Sequence, residues 1–294
     1  MGPQHAESRM SGAMSAPPIA GPDEEPSPSN KNPNPIAVDA LWPVACADLV
    51  RLGSPNDGGY VVPLEAVKGA GALVSFGLRF DWTFERDFHR LNPDAVIHCY
   101  DHTVSSRGAL FFSLTQAARF LGGPRKHSLR AAGTWLDYRT FFRGRVRHFQ
   151  QRVWRDRSRN SVTVSDALAR VGDRRPVFLK IDIEGSEYRI MGDVLAHADD
   201  VDAIAIEFHD VDIFPDVFNS VIEAIRRKFH VVHVHANNYG DLSPFNFPSA
   251  LEITFLNRRL LAQDPPKSTR RYPLAGLDQP NDPAMPDYAF DFRA

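Results

Sequence analysis

The sequence predicts an α/β fold: an open, mainly parallel seven-stranded sheet with helices on both faces and an antiparallel hairpin at one edge. Three observations lead there. Short β-branched apolar runs alternate with longer segments of helical periodicity, the pattern of strands joined by crossover helices. Four of the runs are near-continuously apolar, as expected of central strands covered on both faces. Each of the four ends in polar or acidic residues, where an open parallel sheet places its ligands.

Residues 1–35 hold Ala16-Pro-Pro, Gly21-Pro, Glu25-Pro-Ser-Pro and Asn30-Lys-Asn-Pro-Asn-Pro and little that can bury apolar area, so a disordered N-terminal tail is expected. A single domain, 36–261, follows without an internal linker or repeat. Its four central strands are Ala72-Leu-Val-Ser-Phe, Ala95-Val-Ile-His-Cys-Tyr, Val177-Phe-Leu-Lys-Ile and Ala203-Ile-Ala-Ile. Helices are expected over Trp82 to Leu91, Gly108 to Leu121, Ser165 to Val171 and Phe214 to Phe229. The last carries Val217, Val221, Ile222 and Ile225 at helical spacing. Val146 to Trp154 is a weaker strand. Val231-Val-His-Val-His and Ala250-Leu-Glu-Ile-Thr-Phe-Leu complete seven, close enough in sequence to pair antiparallel. The proline- and aspartate-rich stretch 262–294 is expected to lie on the surface without regular structure.

Composition excludes several classes. A chain of 294 residues with 43% hydrophobic and 24% charged residues is not collagen-like, wholly disordered or a disulfide scaffold. Two cysteines, Cys46 and Cys99, are too few and too far apart for a metal-binding repeat, and free thiols point to a reducing compartment. No run approaches the ~18 apolar residues of a membrane span, and the N-terminus lacks a basic stretch followed by an apolar one. A soluble cytoplasmic protein is expected.

The net charge of −2 conceals an asymmetry. Between Arg119 and Arg159 twelve Lys/Arg stand against Asp137 and Asp156, a local +10; the remaining 22 bases and 34 acids carry −12. Trp135, Tyr138, Phe141, Phe142, Phe149 and Trp154 are interleaved with those bases. That mixture suits a phosphorylated, anionic or sugar-bearing partner or a nucleic acid, and equally a solvated helix with its aromatics packed inward.

The strand-terminating residues are Ser75-Phe76-Gly77, Asp101-His102-Thr103, Asp182 through Glu187, Glu207 through Asp210, and His233, His235, Asn237 and Asn238. Carboxylates dominate. Asp101 follows Gly77 at the spacing where a strand-end acid accepts ribose hydroxyls. A single glycine followed by Leu78 and Arg79 is a poor phosphate cradle, and the Arg79 side chain has to swing clear of any ligand. Acids ending an apolar central strand, as Asp182 and Glu184 do, are costly to bury without a purpose. Asp57-Gly-Gly-Tyr60 reads as a tight turn.

The stretch Phe178-Leu-Lys-Ile-Asp-Ile-Glu-Gly-Ser-Glu-Tyr188 resembles the signature of FkbM-type S-adenosylmethionine-dependent methyltransferases, where it ends the fourth strand of the class I, Rossmann-like methyltransferase fold. The likeness extends to Asn56-Asp-Gly-Gly-Tyr-Val-Val62, Ser75-Phe-Gly with Phe84-Glu85, and His233-Val-His-Ala-Asn-Asn238, or residues 50 to 258. The resemblance implies that Ser75, Phe76 and Gly77 border the methionine end of S-adenosylmethionine, Asp101 its ribose, and Asp182 with Glu184 the floor near the methyl. It implies O-methylation of a sugar, glycan or natural-product hydroxyl and leaves the acceptor open.

A hydroxyl acceptor must lose a proton as the methyl arrives, and His209 or Asp182 is the expected base, with Glu207 orienting or sharing the proton. Glu207 and His209, His233 and His235, and Asp182 and Glu184 each stand two apart and so share a strand face. These pairs suit a divalent metal, which either orients the acceptor or activates water in a phosphoesterase, but no residue is assigned as a ligand. The rival readings are that phosphoesterase and a non-catalytic binding module. Asn237 and Asn238 either close the acceptor pocket or serve as ordinary loop residues. The basic segment 119–159 is expected to border a small-molecule or glycan acceptor, anionic where it meets those bases, with nucleic acid not the expected partner. Arg143, Arg145 and Arg147 are expected to hold that acceptor.

Overall fold

A computed structural model describes residues 34–121, 133–290 and 292. The tail expected over 1–35 lies outside the described residues as far as position 33, as do 122–132 of the basic segment. Pro33–Ala294 forms one compact unit.

The main sheet is built from β3 (Ala72–Phe76), β4 (Val96–Tyr100), β5 (Val146–Phe149), β8 (Val177–Ile181), β9 (Val201–Phe208), β10 (Phe229–Leu242) and β11 (Pro248–Asn257). Their order across the sheet is β10-β11-β9-β8-β3-β4-β5. All run parallel except β11, which is antiparallel to both neighbours. The expected hairpin is therefore present with one difference. Its second strand lies inside, between β9 and β10, and its first strand forms the sheet edge. The order turns back between β3 and β8, so the crevice of an open sheet opens beyond the ends of β3, β4 and β8.

Alternation of side chains along the strands feeds two cores. Val74, Leu179, Ile204 and Ile206 face α5 (Val164–Arg170), α6 (Glu187–Ala196) and α7 (Pro215–Arg226). Leu73, Ile97, Phe178 and Ala205 face α1 (Leu64–Gly69), α2 (Thr83–Leu91) and a hairpin of β1 (Leu49–Gly53) and β2 (Gly59–Pro63). The buried stripe of α7 is Phe218, Ile222 and Ile225, while Val217 is exposed. Two further helices, α3 (Ser106–Leu121) and α4 (Thr134–Phe141), pack together beside β4 and β5.

Two expectations need correction. The stretch 119–159, expected as a basic aromatic insertion in the domain, is part of its framework: among its described residues it supplies α4, edge strand β5 and a short strand, β6 (Arg152–Val153), which pairs with β7 (Ser161–Val162). Phe141 and Val146 are core residues. The stretch from 262 onward forms no helix or strand among its described residues, yet it is more than a surface coat. Tyr272, Leu274, Phe290 and Phe292 are buried in the main core, and polar side chains tie it to β10 and β11.

Candidate active site

The ends of β3, β8 and β9 converge through tight backbone contacts. Gly77 adopts φ +85°, and a Cβ there would stand 1.6 Å from the Asp182 carbonyl oxygen, so only glycine lets the two loops touch. The Gly77 N–H donates to the Tyr100 carbonyl at 3.0 Å, and Asp182 N–H to that of Phe76 at 2.9 Å. Lys180, nearly fully buried, donates to the Gly77 carbonyl at 3.0 Å and to Asp182 Oδ2 at 3.3 Å. Burial opposes its charge, but Asp182 and Glu85 outweigh burial and hold its pKa up. The buried ammonium thereby offsets the acids at the strand ends.

Two cavities flank this junction. The larger, about 520 Å³, is lined by Asp57, Lys180, Asp182, Glu207, His209 and Asn237, among others. The smaller, about 340 Å³, lies on the β4 side, against Gly77, Asp101, Thr103, Trp154, Ile183 and Ser186. Arg79, Asp182 and Glu184 line both.

Three of the expected catalytic residues meet in the larger cavity. Ligand atoms of Asp182, Glu207 and His209 all lie within 4.8 Å of one another. His209 Nε2 stands 3.8 Å from Glu207 Oε1 and 3.6 Å from Glu184 Oε2. Its Nδ1 is 3.2 Å from Glu187 Oε1, on a side chain with no solvent exposure. Glu187, and not Glu207, is thus the carboxylate that orients the imidazole. The Tyr60 hydroxyl donates to Asp182 Oδ2 and Glu207 Oε2 at 3.2 and 3.4 Å, and Asn237 Nδ2 donates to Glu207 Oε1 at 2.7 Å.

Burial, with Asp182 and Glu252 close by, pushes the Glu207 carboxyl up to about 8. For His209 burial opposes the charge, but the hydrogen bond to Glu187 and the field of Glu207 outweigh it and raise the pKa to about 9. The two groups titrate as a pair that holds a proton at neutral pH.

The expected cofactor residues divide. Gly77, Asp101, Asp182 and Glu184 line the smaller cavity. Ser75 and Phe76 line neither cavity: the Ser75 hydroxyl donates to buried Glu85 at 2.6 Å, and the Phe76 ring packs edge-on against Tyr100 in the core. Strand alternation sends the two side chains to opposite faces of the sheet, both covered, and the loop meets the smaller cavity only beyond them, through Gly77 and Arg79. Asp101 braces its neighbours instead of standing open for a ribose. Oδ2 accepts from the Leu78 and Arg79 N–H groups, and Oδ1 from Thr103 N–H and hydroxyl, which fills four acceptor positions. Burial opposes the resulting shift, yet these bonds hold its pKa below the usual carboxylate value.

The histidine pair of β10 belongs elsewhere. His233 Nε2 lies 3.0 Å from Asp278, and His235 bridges Glu252 and Asp287 at 3.0 Å each. Asn238 donates to the carbonyls of Asp282, Met285 and Pro286. All three tie down the C-terminal stretch. Arg143, Arg145 and Arg147 are exposed at the β5 edge and line neither cavity. From the described part of 119–159 only Arg152, Val153 and Trp154 reach a site cavity, and it is the one beside Asp101. Arg152 and Arg189 lie over the Trp154 ring at 4.6 and 5.3 Å and hold it. Sequence reasoning missed Lys180, Glu187, Tyr60 and Trp154 as site residues. Lys180 and Glu187 sit inside the signature stretch, and a lysine within an apolar strand was the available signal.

Comparison with known proteins gives the chemistry. Residues 124–240 match the family model of the methyltransferase FkbM domain, from the basic segment through β10. No match is found among curated proteins. Similar solved structures include a Methanococcus jannaschii fibrillarin pre-rRNA processing protein, 10% identical over 77% of this chain and 76% of that one, with a TM-score of 0.35. A predicted O-methyltransferase from Agrobacterium tumefaciens is 14% identical over 65% and 80% (TM-score 0.29). A precorrin-6y C5,15-methyltransferase from Geobacter metallireducens is 11% identical over 66% and 84% (TM-score 0.30). The match at 124–240 holds the acids of β8 and β9, and the strand order around it, with its single antiparallel strand, is that of class I methyltransferases. Over residues 124–240 the chain is similar to the methyltransferase FkbM domain, which supports S-adenosylmethionine-dependent methyl transfer.

Proposed function

We propose that the protein O-methylates a hydroxyl of a sugar, glycan or related natural product, with the donor in the smaller cavity and the acceptor in the larger. The observation that carries this reading is the His209–Glu187 pair, which aims Nε2 into the larger cavity beside Glu207. The smaller cavity suits the donor: Trp154, Val153 and Ile183 give apolar walls for a nucleobase, and Thr103 and Ser186 give polar ends. When bound, S-adenosylmethionine supplies the electrophilic methyl group.

The side chains supply alignment and proton handling. His209 Nε2 takes the hydroxyl proton, Glu187 fixes the tautomer through Nδ1, and Glu207 shares the proton within the pair. Lys180 donates to both Asp182 and the Gly77 carbonyl and so ties the two loops together. Among the charged residues that line the acceptor cavity carboxylates outnumber bases, and no described residue of the basic segment lines it. This supports a neutral or cationic polyol acceptor over the anionic one expected from composition.

Asp182, Glu207 and His209 also form a donor set for a divalent cation, whose binding would expel the proton of the coupled pair. The test is transfer of labelled methyl from S-adenosylmethionine to a panel of neutral, amino and acidic sugars, with and without chelator. Label in a neutral or amino sugar, lost at least a hundredfold in His209→Ala, is the expected result. Label unaffected by that substitution refutes the assignment of the base, and loss with chelator assigns the metal.

A further inference from the structure

The only side chains common to both cavities among the described residues are Arg79, Asp182 and Glu184. Asp182 already has Lys180 and Tyr60 as partners. Glu184 has Arg79: the guanidinium Nη1 lies 3.4 Å from Oε1, with both side chains more than half exposed. Such a pair contributes little to stability and separates readily. Both residues nevertheless hold left-handed backbone, at φ +48° and +55°, which for residues other than glycine is uncommon and unfavourable. Two unfavourable backbone positions that together place one weak ion pair between two cavities mark a feature kept for its position.

We infer that this pair sets the discrimination between the cationic methyl donor and its neutral thioether product. The inference rests on the donor reading above. The junction is where a sulfonium must sit if its methyl is to reach the acceptor side. Glu184 is the carboxylate there whose counter-charge can leave, because Lys180 is locked beneath Asp182. Glu184 attracts the sulfonium and Arg79 competes for the same carboxylate. Methyl transfer removes the positive charge from sulfur, so the product feels neither effect. Glu184 Oε2 also stands 3.6 Å from His209 Nε2, which places the same carboxylate beside the general base.

The test is calorimetric titration of the whole chain with S-adenosylmethionine and with S-adenosylhomocysteine, for wild type, Arg79→Gln and Glu184→Gln, at low and at high salt. Arg79→Gln removes the guanidinium that competes for Glu184 and should shift the ratio of affinities three- to tenfold, as an order of magnitude, toward the cationic ligand. Glu184→Gln leaves Arg79 unpaired and should shift it by a similar factor the other way. Both shifts should shrink as salt screens the charges. Ratios that stay at the wild-type value, or move in the same direction in both variants, overturn the inference while leaving the donor reading intact. A wild type that binds neither ligand removes the donor reading itself and the inference with it.

Discussion

At the scale of single residues, the site works by placing charges against charges. His209 stays protonated at neutral pH because Glu187 and Glu207 outweigh the cost of its burial. A base with a raised pKa is available only as pH climbs, so kcat/KM should rise through the range around 9 and level off above it. Glu187→Gln removes one of those stabilising carboxylates while keeping a hydrogen-bonding side chain. The alkaline limb of the pH profile should then move to lower pH by about one unit, with the maximal rate falling less than in His209→Ala. A limb that stays in place shows that Glu187 only packs against the ring. Asp182, Glu207 and His209 could be singled out from sequence as candidates, the two acids because carboxylates that end apolar strands are costly to bury without a purpose. Their partners were not, since a buried lysine, a helix-start glutamate and a tyrosine in a turn look like ordinary residues until the chain is folded. Asp101 shows the converse: its spacing suggested a ribose ligand, but spacing says nothing about which N–H groups reach the carboxylate first.

At the scale of elements, the four central strands were plain in the sequence because burial on both faces leaves near-continuous apolar runs. The hairpin β1–β2 and helices α1, α4 and α6 were not anticipated. Their apolar residues are few and become a face only once the sheet supplies the other side, as with Val62 and Val67. The C-terminal stretch has the same logic in polar form. His233 and His235 look like candidate metal ligands along an apolar strand, yet aspartates more than forty residues later claim them. Burial opposes charge on His235, but its hydrogen bonds to Asp287 and Glu252 raise its pKa to about 10. Its stabilising contribution is therefore complete below an unfolded imidazole pKa of about 6.5 and lost as pH rises through about 10. Asp278, held below its usual value by His233 despite burial, contributes above about 3.9 and ceases to as pH falls. His235→Ala strands the buried carboxylate of Glu252 and the half-buried one of Asp287 and should cost about 3–5 kcal/mol in thermal or urea unfolding near neutral pH. A loss under about 1 kcal/mol would mean that this stretch is held by Tyr272, Phe290 and Phe292 alone.

At the scale of the whole molecule, the sheet's reversal of order gathers acids from separate strands at one crevice, and the C-terminal stretch braces the far side of it. Asn281 donates to Glu252 at 2.7 Å, and Asn56 donates to the Pro280 carbonyl at 2.8 Å, so the turn bearing Asp57 is anchored to that stretch. No helix among the described residues is long and apolar enough to cross a membrane. The charge asymmetry was visible in composition, but its bearing on the site was not, because only folding shows that Arg143, Arg145 and Arg147 lie at an edge strand. The account stands on the smaller cavity as the donor site. It is tested most directly by the dissociation constant of S-adenosylmethionine for wild type and for Trp154→Ala, whose ring forms a wall of that cavity away from the acids. One-to-one binding by the wild type, weakened about tenfold or more in a variant with unchanged unfolding, is the predicted result. Equal affinity in both, or no binding by the wild type, contradicts it.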